Sequence, residues 1–182
     1  MSLIIRAAVP GDTAALARLF HAAVHRGTGA HYNAAQRAAW SPKVPDTAAW
    51  AARLAGLITL LAEDASGVQG FISLRPDGLV DFSYVAPDRL RQGIGTELYR
   101  AVEARARRLG LHHLTTEASL AARPFFARHG WQVIASQEVE RRGVKLLNFR
   151  MEKRLHRAGM PAPDAAEAVD QVSMTGANHR TR

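Results

Sequence analysis

"VAPDRLRQGIGTELYRAVEARARRLG", residues 85–110, is the stretch on which the fold turns. An apolar run ends at Val85 and Pro87 breaks it. Gly93 and Gly95 follow two apart, and Ile94, Leu98, Val102 and Leu109 then recur at helical spacing. A strand, glycine loop and helix in that order let backbone N–H groups approach an anion, and the helix dipole adds partial positive charge at the same place. Phosphate fits that description. The plainer alternative is that the two glycines only turn the chain, and Arg89 and Arg91 beside them tilt the balance towards phosphate. A dinucleotide fingerprint fails because Leu98 holds the third glycine position, and a P-loop fails because Gly-Lys-Ser/Thr is missing.

Upstream, Ile4 and Ile5 start a short strand that Pro10-Gly11-Asp12 breaks. Asp12 is placed to cap a helix whose Leu16, Leu19, Phe20 and Val24 share one face. Helical stretches follow in "HYNAAQRAAW" (31–40), opened by Asn33, and "PDTAAWAARL" (45–54), opened near Asp46 or Thr47. "LITLLAE" (57–63), "VQGFISLR" (68–75) and "LVDFSYV" (79–85) read as an antiparallel meander with the turn signals "DASG" and "PDG" between them. After the helix over 95–109, "HHLTTEA" (112–118) reads as a strand and "LAARPFFARHG" (120–130) as a short helix. Residues 131–141 and 144–152 then read as two last strands. The expected class is α/β: a mixed, mostly antiparallel central sheet flanked by helices, condensed to the order β-α-α-β-β-β-α-β-α-β-β.

At 182 residues the chain suits one compact domain. We assign residues 1–156 to it and read 157–182, poor in large apolar residues, as a flexible C-terminal extension. The charges of that extension cancel, so the net +8 of the chain belongs to residues 1–156. Lys43, Lys145 and Lys153 are the only lysines, so nearly all of the 24 basic residues are arginines, the side chain suited to bidentate phosphate contacts. Cysteine is absent, which excludes disulfides, thiolate metal sites and a cysteine nucleophile. No membrane span or signal peptide is read, and the expected location is cytoplasmic. His21 and His25 have helical metal-ligand spacing but lack the glutamate of His-Glu-x-x-His and a third ligand, so no metal is assigned. A basic nucleic-acid binder ranks last, because no helix-turn-helix or RNA-stacking motif accompanies the charge.

Residues 3–154 resemble the GCN5-related N-acetyltransferase (GNAT) superfamily. In "YVAPDRLRQGIG" the matching residues are Tyr84, Val85, Pro87, Gly93 and Gly95, while Leu90 stands where the family usually has Arg or Gln. "IIRAAVPGD" and "ASLAARPFFARHGW" are similar to the family's first strand and its Asn-x-x-Ala-x-x-x-Tyr-x-x-x-Gly-aromatic segment. "HYNAAQRAAW", "FIS", "ARPFFARHGW" and "RGVKLLNFRM" are similar to the YafP-like subgroup. The resemblance implies a GNAT-like fold and makes the anion the pyrophosphate of acetyl-CoA. It implies cofactor binding by Tyr84, Val85, Arg91, Gln92, Gly93, Ile94, Gly95, Thr96 and Ser119, with the thioester where strands 79–85 and 112–118 part. A backbone N–H near Val85 is expected to steady the oxyanion.

A protonated amine needs a base or a water relay before it attacks, and Asp81 and Glu117 are the candidates, each with ordinary solvation or pairing as its alternative. Strand alternation sets Asp81 on the face of Ser83 and Val85. The family's tyrosine acid falls on Phe126, which has no proton to give. Tyr32, His31 or water is left for that step, and turnover is expected to survive Phe126→Tyr. His31 and Tyr32 are also candidate contacts to the acceptor. The expected partners are acetyl-CoA and an amine, without membrane or nucleic acid, and a homodimer stays open beside a monomer. The rival from another class is a noncatalytic acyl-CoA-binding module.

Overall fold

The computed structural model describes residues 3–155. The extension expected over 157–182 lies outside the described residues. The elements run β1 (Ile4–Ala7), α1 (Thr13–Gly27), α2 (Ala34–Trp40), α3 (Thr47–Leu54), β2 (Ile58–Asp64), β3 (Gly67–Leu74) and β4 (Leu79–Val85). They continue with α4 (Ile94–Arg108), β5 (His113–Ser119), α5 (Arg123–Arg128), β6 (Gln132–Arg141) and β7 (Val144–Arg154). Each helical stretch before β2 is a separate helix, so three rather than two intervene between the first two strands. Among the described residues no helix is long and apolar enough to cross a membrane.

One seven-stranded sheet has the order β1-β2-β3-β4-β5-β7-β6, and every neighbouring pair is antiparallel except β4 and β5. Alternation along the strands builds one core on each face. On one face Leu16, Leu19, Phe20 and Val24 of α1 and Trp50 of α3 pack against Leu61, Phe71 and Phe82. On the other, Leu98, Val102 and Ala106 of α4 pack against Ile72, Leu74, Val80, Leu114 and Met151. The spacing that marked these helices is therefore the spacing that buries them.

Caps fix where the short helices begin. The Asn33 side chain accepts from the Gln36 N–H at 2.9 Å while Gln36 accepts from the Asn33 N–H at 3.0 Å, a reciprocal cap on α2. Asp46 accepts from the N–H groups of Ala48 and Ala49 at the start of α3. Asp12 differs from expectation. Its carboxylate makes no cap bond to α1 but pairs with Arg6 at 2.7 Å, and Arg6 also holds Glu63 at 2.8 Å, so the three tie β1 to β2 and to the entry of α1.

Gly70 brings α4 close to the sheet. A Cβ there would stand 3.0 Å from both Leu98 Cδ1 and the Tyr84 carbonyl oxygen. A bulge follows on β4, where Ser73 opposes Phe82 but Leu74 opposes Val80, leaving Asp81 as the extra residue.

Candidate active site

The parallel ladder between β4 and β5 consists of two pairs, Leu79 with Thr115 and Val80 with Thr116. The Thr116 hydroxyl donates to the Val80 carbonyl at 2.8 Å where the pairing stops. Beyond that point the strands part, β4 continuing to Val85 and β5 to Ser119, and the sheet opens into a fork.

Which backbone groups face the fork follows from the register with β3. The Ala86 N–H donates to the Gln69 carbonyl at 2.8 Å, so Ala86, Tyr84 and Phe82 turn their backbone groups to β3, and Ser83 and Val85 turn theirs away from it. Those two N–H groups are available to an extended amide chain laid along β4. Val85 was expected from sequence. Ser83 lies in the run 83–85 along which the family resemblance lays the pantetheine arm, and Tyr84 contributes differently: its ring packs at 5.1 Å from Phe20 and 5.7 Å from Phe71 on the α1 face. Burial there drives its phenol well above the ordinary value, and nearby Asp81 adds to the shift.

The glycine loop runs into the N-terminus of α4, which no side chain caps. Gly93 has φ 87° and Arg91 φ 61°, so two residues in left-handed conformation bend the backbone around the point where the helix dipole is positive. The side chains around it are placed unequally. Ile94 is buried in the α4-side core, so only its N–H can serve a ligand. The Gln92 amide donates to the Asp88 carbonyl at 3.2 Å and braces the loop. Arg89 is drawn to Asp64 at 3.6 Å, whereas Arg91 is exposed, and Leu90 is exposed at the position where a basic or amide residue was expected. Gly95 lies beneath Phe125, whose ring edge would be 3.3 Å from a Cβ. Thr96 is half-buried in the first turn.

The candidate carboxylates flank the fork on one face, for reasons that alternation alone does not supply. Because of the bulge, Asp81 does not share a face with Ser83 and Val85. Its carboxylate meets Arg53 of α3 at 2.7 Å, and the Arg53 guanidinium lies 4.6 Å over the Phe82 ring. Leu114 and Ala118 enter the α4-side core, so Glu117, out of phase with both, projects to the α1–α3 side, where it is exposed and accepts from the Gln137 amide at 3.2 Å. Ser119 opposes Asn148 of β7 on that same face, and its hydroxyl accepts from the Ala122 N–H at 3.1 Å, which commits it to the turn into α5. Asn148 Oδ1 is buried without a hydrogen-bond partner.

Tyr32 is a clamp. Its buried hydroxyl donates to the Leu147 carbonyl at 2.6 Å and accepts from the Leu120 N–H at 2.9 Å, joining the chain before α2 to β7 and to the end of β5. Burial raises its pKa, against a lowering by the Leu120 N–H. Gln36 bonds the Lys145 carbonyl at 3.0 Å and Arg142 the Ala39 carbonyl at 2.7 Å, so α2 is fastened to the β6–β7 hairpin beside the fork. His31 is exposed next to this clamp. Phe126 is buried 5.0 Å from Trp131 in the core, so a tyrosine hydroxyl there would enter apolar surroundings. His21 and His25 both bond Ser41, through its hydroxyl at 2.9 Å and its carbonyl at 2.7 Å, and brace α1 against the end of α2. Burial, and then His25, lowers the pKa of His21. Among the described residues no cluster of three or more potential metal ligands forms.

A forked strand edge with two free N–H groups, leading to an uncapped helix N-terminus, suits a ligand with an extended amide arm and a phosphate end. The residues present fit acetyl-CoA. The family model described as an acetyltransferase (GNAT) domain matches residues 15–153. The uncharacterized N-acetyltransferase YafP of Escherichia coli (strain K12) is 33% identical over 147 residues, covering 81% of this chain and 93% of YafP. A GCN5-related N-acetyltransferase from Rhodopseudomonas palustris superposes with TM-score 0.80 at 35% identity, over 85% of this chain and 97% of that one. The putative acetyltransferase yncA from Salmonella typhimurium, solved with its cofactor acetyl-CoA, superposes with TM-score 0.66 at 26% identity, over 91% and 99% of the two chains.

Proposed function

Because this chain belongs to the GNAT family and is an N-acetyltransferase with acetyl-CoA as its cosubstrate, we propose that it transfers the acetyl group directly to an amine of a small molecule or to an exposed amino group. The observation that carries this reading is the fork between β4 and β5, with the Ser83 and Val85 N–H groups turned away from β3. When bound, acetyl-CoA supplies an activated acyl thioester. The residues then have distinct tasks. Ser83 and Val85 hold the pantetheine arm as an added strand edge and polarise the acyl oxygen by N–H donation. The N–H groups of residues 91–96 hold the pyrophosphate, with Arg91 adding charge. Glu117 takes the proton of the attacking amine directly or through water, while Asp81 across the fork is held in its pair with Arg53.

Tyr32 supports the walls of the fork instead of giving a proton, since its hydroxyl is already committed to Leu147. With Phe126 in the core, the thiolate leaves without a side-chain acid. Direct transfer is the mechanism left open to a chain without cysteine. The same reading puts the protein in the cytoplasm, where acetyl-CoA is made and used. It also pairs two copies through edge strand β6, where Val133 and Ile134 are exposed.

Calorimetric titration with acetyl-CoA and CoA, followed by thiol release in the presence of amines, tests the proposal. Saturable binding near one per chain with amine-dependent thiol release supports it. Binding without release on any amine marks a noncatalytic acyl-CoA module, and no binding by folded protein ends the transferase reading.

A further inference from the structure

At the branch point of the fork the structure holds the Arg53 cation from two sides. Asp81, the bulged residue just beyond the last β4–β5 pair, binds Nη1 at 2.7 Å, and the Phe82 ring supports the guanidinium plane at 4.6 Å. A guanidinium carries five N–H donors in a rigid fork, and Asp81 is its only ion-pair partner among the described residues. The side chain is still 49% exposed, so its remaining donors are oriented and open. Pre-positioning of this kind suits a carboxylate or a similar oxyanion, which takes two parallel N–H bonds.

Across the fork the polarity is reversed. Glu117 offers a carboxylate, and Asn148 Oδ1, on the same face, is buried with no donor to satisfy it. A buried acceptor left unpaired costs stability, and an ammonium or amine N–H would relieve it. The two sides of the fork thus present a donor group and an acceptor pair to whatever lies between them.

We infer that the acceptor is an amine that also carries an acid group, with α-amino acids as the class, bound by Arg53 through its carboxylate and by Glu117 and Asn148 through its amino group. Arg53 is then a specificity residue. This inference rests on the proposed acetyl transfer and narrows its substrate.

The test uses the full chain, acetyl-CoA, the standard L-amino acids other than cysteine, their methyl esters and spermidine, read by thiol release. Acid-bearing amines are expected to turn over, with each ester weaker by about 10- to 100-fold in kcat/KM, the scale of one lost charge-assisted pair. Arg53→Gln should raise KM for the acid by a similar factor and erase most of the acid-over-ester preference, and Arg53→Lys should restore part of it. Thermal unfolding of both variants controls for the loss of the Asp81 pair. Equal rates for acids and esters, or preference for spermidine, would overturn the inference. So would calorimetric binding of acetyl-CoA with no release on any amino acid, which leaves the transferase reading intact. Failure to bind acetyl-CoA would overturn both.

Discussion

A single hydroxyl shows how far one residue's role depends on distant backbone. Tyr32 reaches Leu147, 115 positions away, and Leu120, so its proton is spent on structure. In Tyr32→Phe a half-buried carbonyl and an N–H lose their partner, and a stability loss of about 1–3 kcal/mol is expected in denaturant unfolding. A collapse of kcat at unchanged stability would instead make Tyr32 a proton donor. Glu117→Gln should lower kcat/KM by about 10²- to 10⁴-fold, the range for a lost general base, while calorimetry shows acetyl-CoA affinity retained. Residue types were readable in the sequence and their partners were not. Glu117 could be put forward because a carboxylate at a strand end is visible in the letters. Arg53 was missed because nothing in "TAAWAARL" says that it meets a carboxylate 28 positions later.

At the scale of elements the sequence was far more legible, because apolar periodicity is both the cause of burial and its written trace. The strand read over 79–85 and the helix read over 95–109 match β4 and α4 to within a residue. What escaped was the bulge, an extra residue accommodated by the pairing of β4 with β3, which turned Asp81 from the expected face towards α3. Gly70 was equally silent. It appears as an ordinary letter in a strand, yet it sets how closely α4 seats over β3. In Gly70→Ala the new methyl meets the Tyr84 carbonyl, which cannot move without disturbing β4, and we expect a loss of about 1–3 kcal/mol from overpacking. The same variant should bind acetyl-CoA more weakly in calorimetry, since α4 presents the phosphate end of the site.

The whole molecule has an acid limit set well away from the fork. Glu103 of α4 accepts from Lys153 at 2.7 Å, from the Tyr99 hydroxyl and from Arg107 at 2.8 Å, and the Trp131 indole donates to Tyr99 at 3.0 Å. Burial alone would push the Glu103 carboxyl up, but the bonds from Lys153, Tyr99 and Arg107 outweigh it and hold the group at about 2. A carboxylate depressed in the folded state stabilises fully above its ordinary value of 4.5, and that contribution drains away as pH falls towards 2. Glu103→Gln should therefore flatten the fall in unfolding free energy over that interval. Unchanged curvature would show that another group governs acid unfolding. Asp12 and Glu63, both lowered first of all by hydrogen bonds from Arg6, add to the same limb of the curve.

The fork also has a mechanical meaning. Among the described residues, β4 and β5 pair at two positions, supported by the Thr116 hydroxyl and by the Thr115 N–H on the Gly78 carbonyl, so the sheet is nearly two sheets sharing a hinge. A ligand arm lying between them works as a keystone. By mass action, cosubstrate at 100 times its dissociation constant adds about 2.7 kcal/mol to the folded state. Amide exchange at Ser83 and Val85 should slow on binding, and proteases that enter through the seam should be held off. The lifetime of this protein would then rise and fall with the supply of the metabolite it consumes.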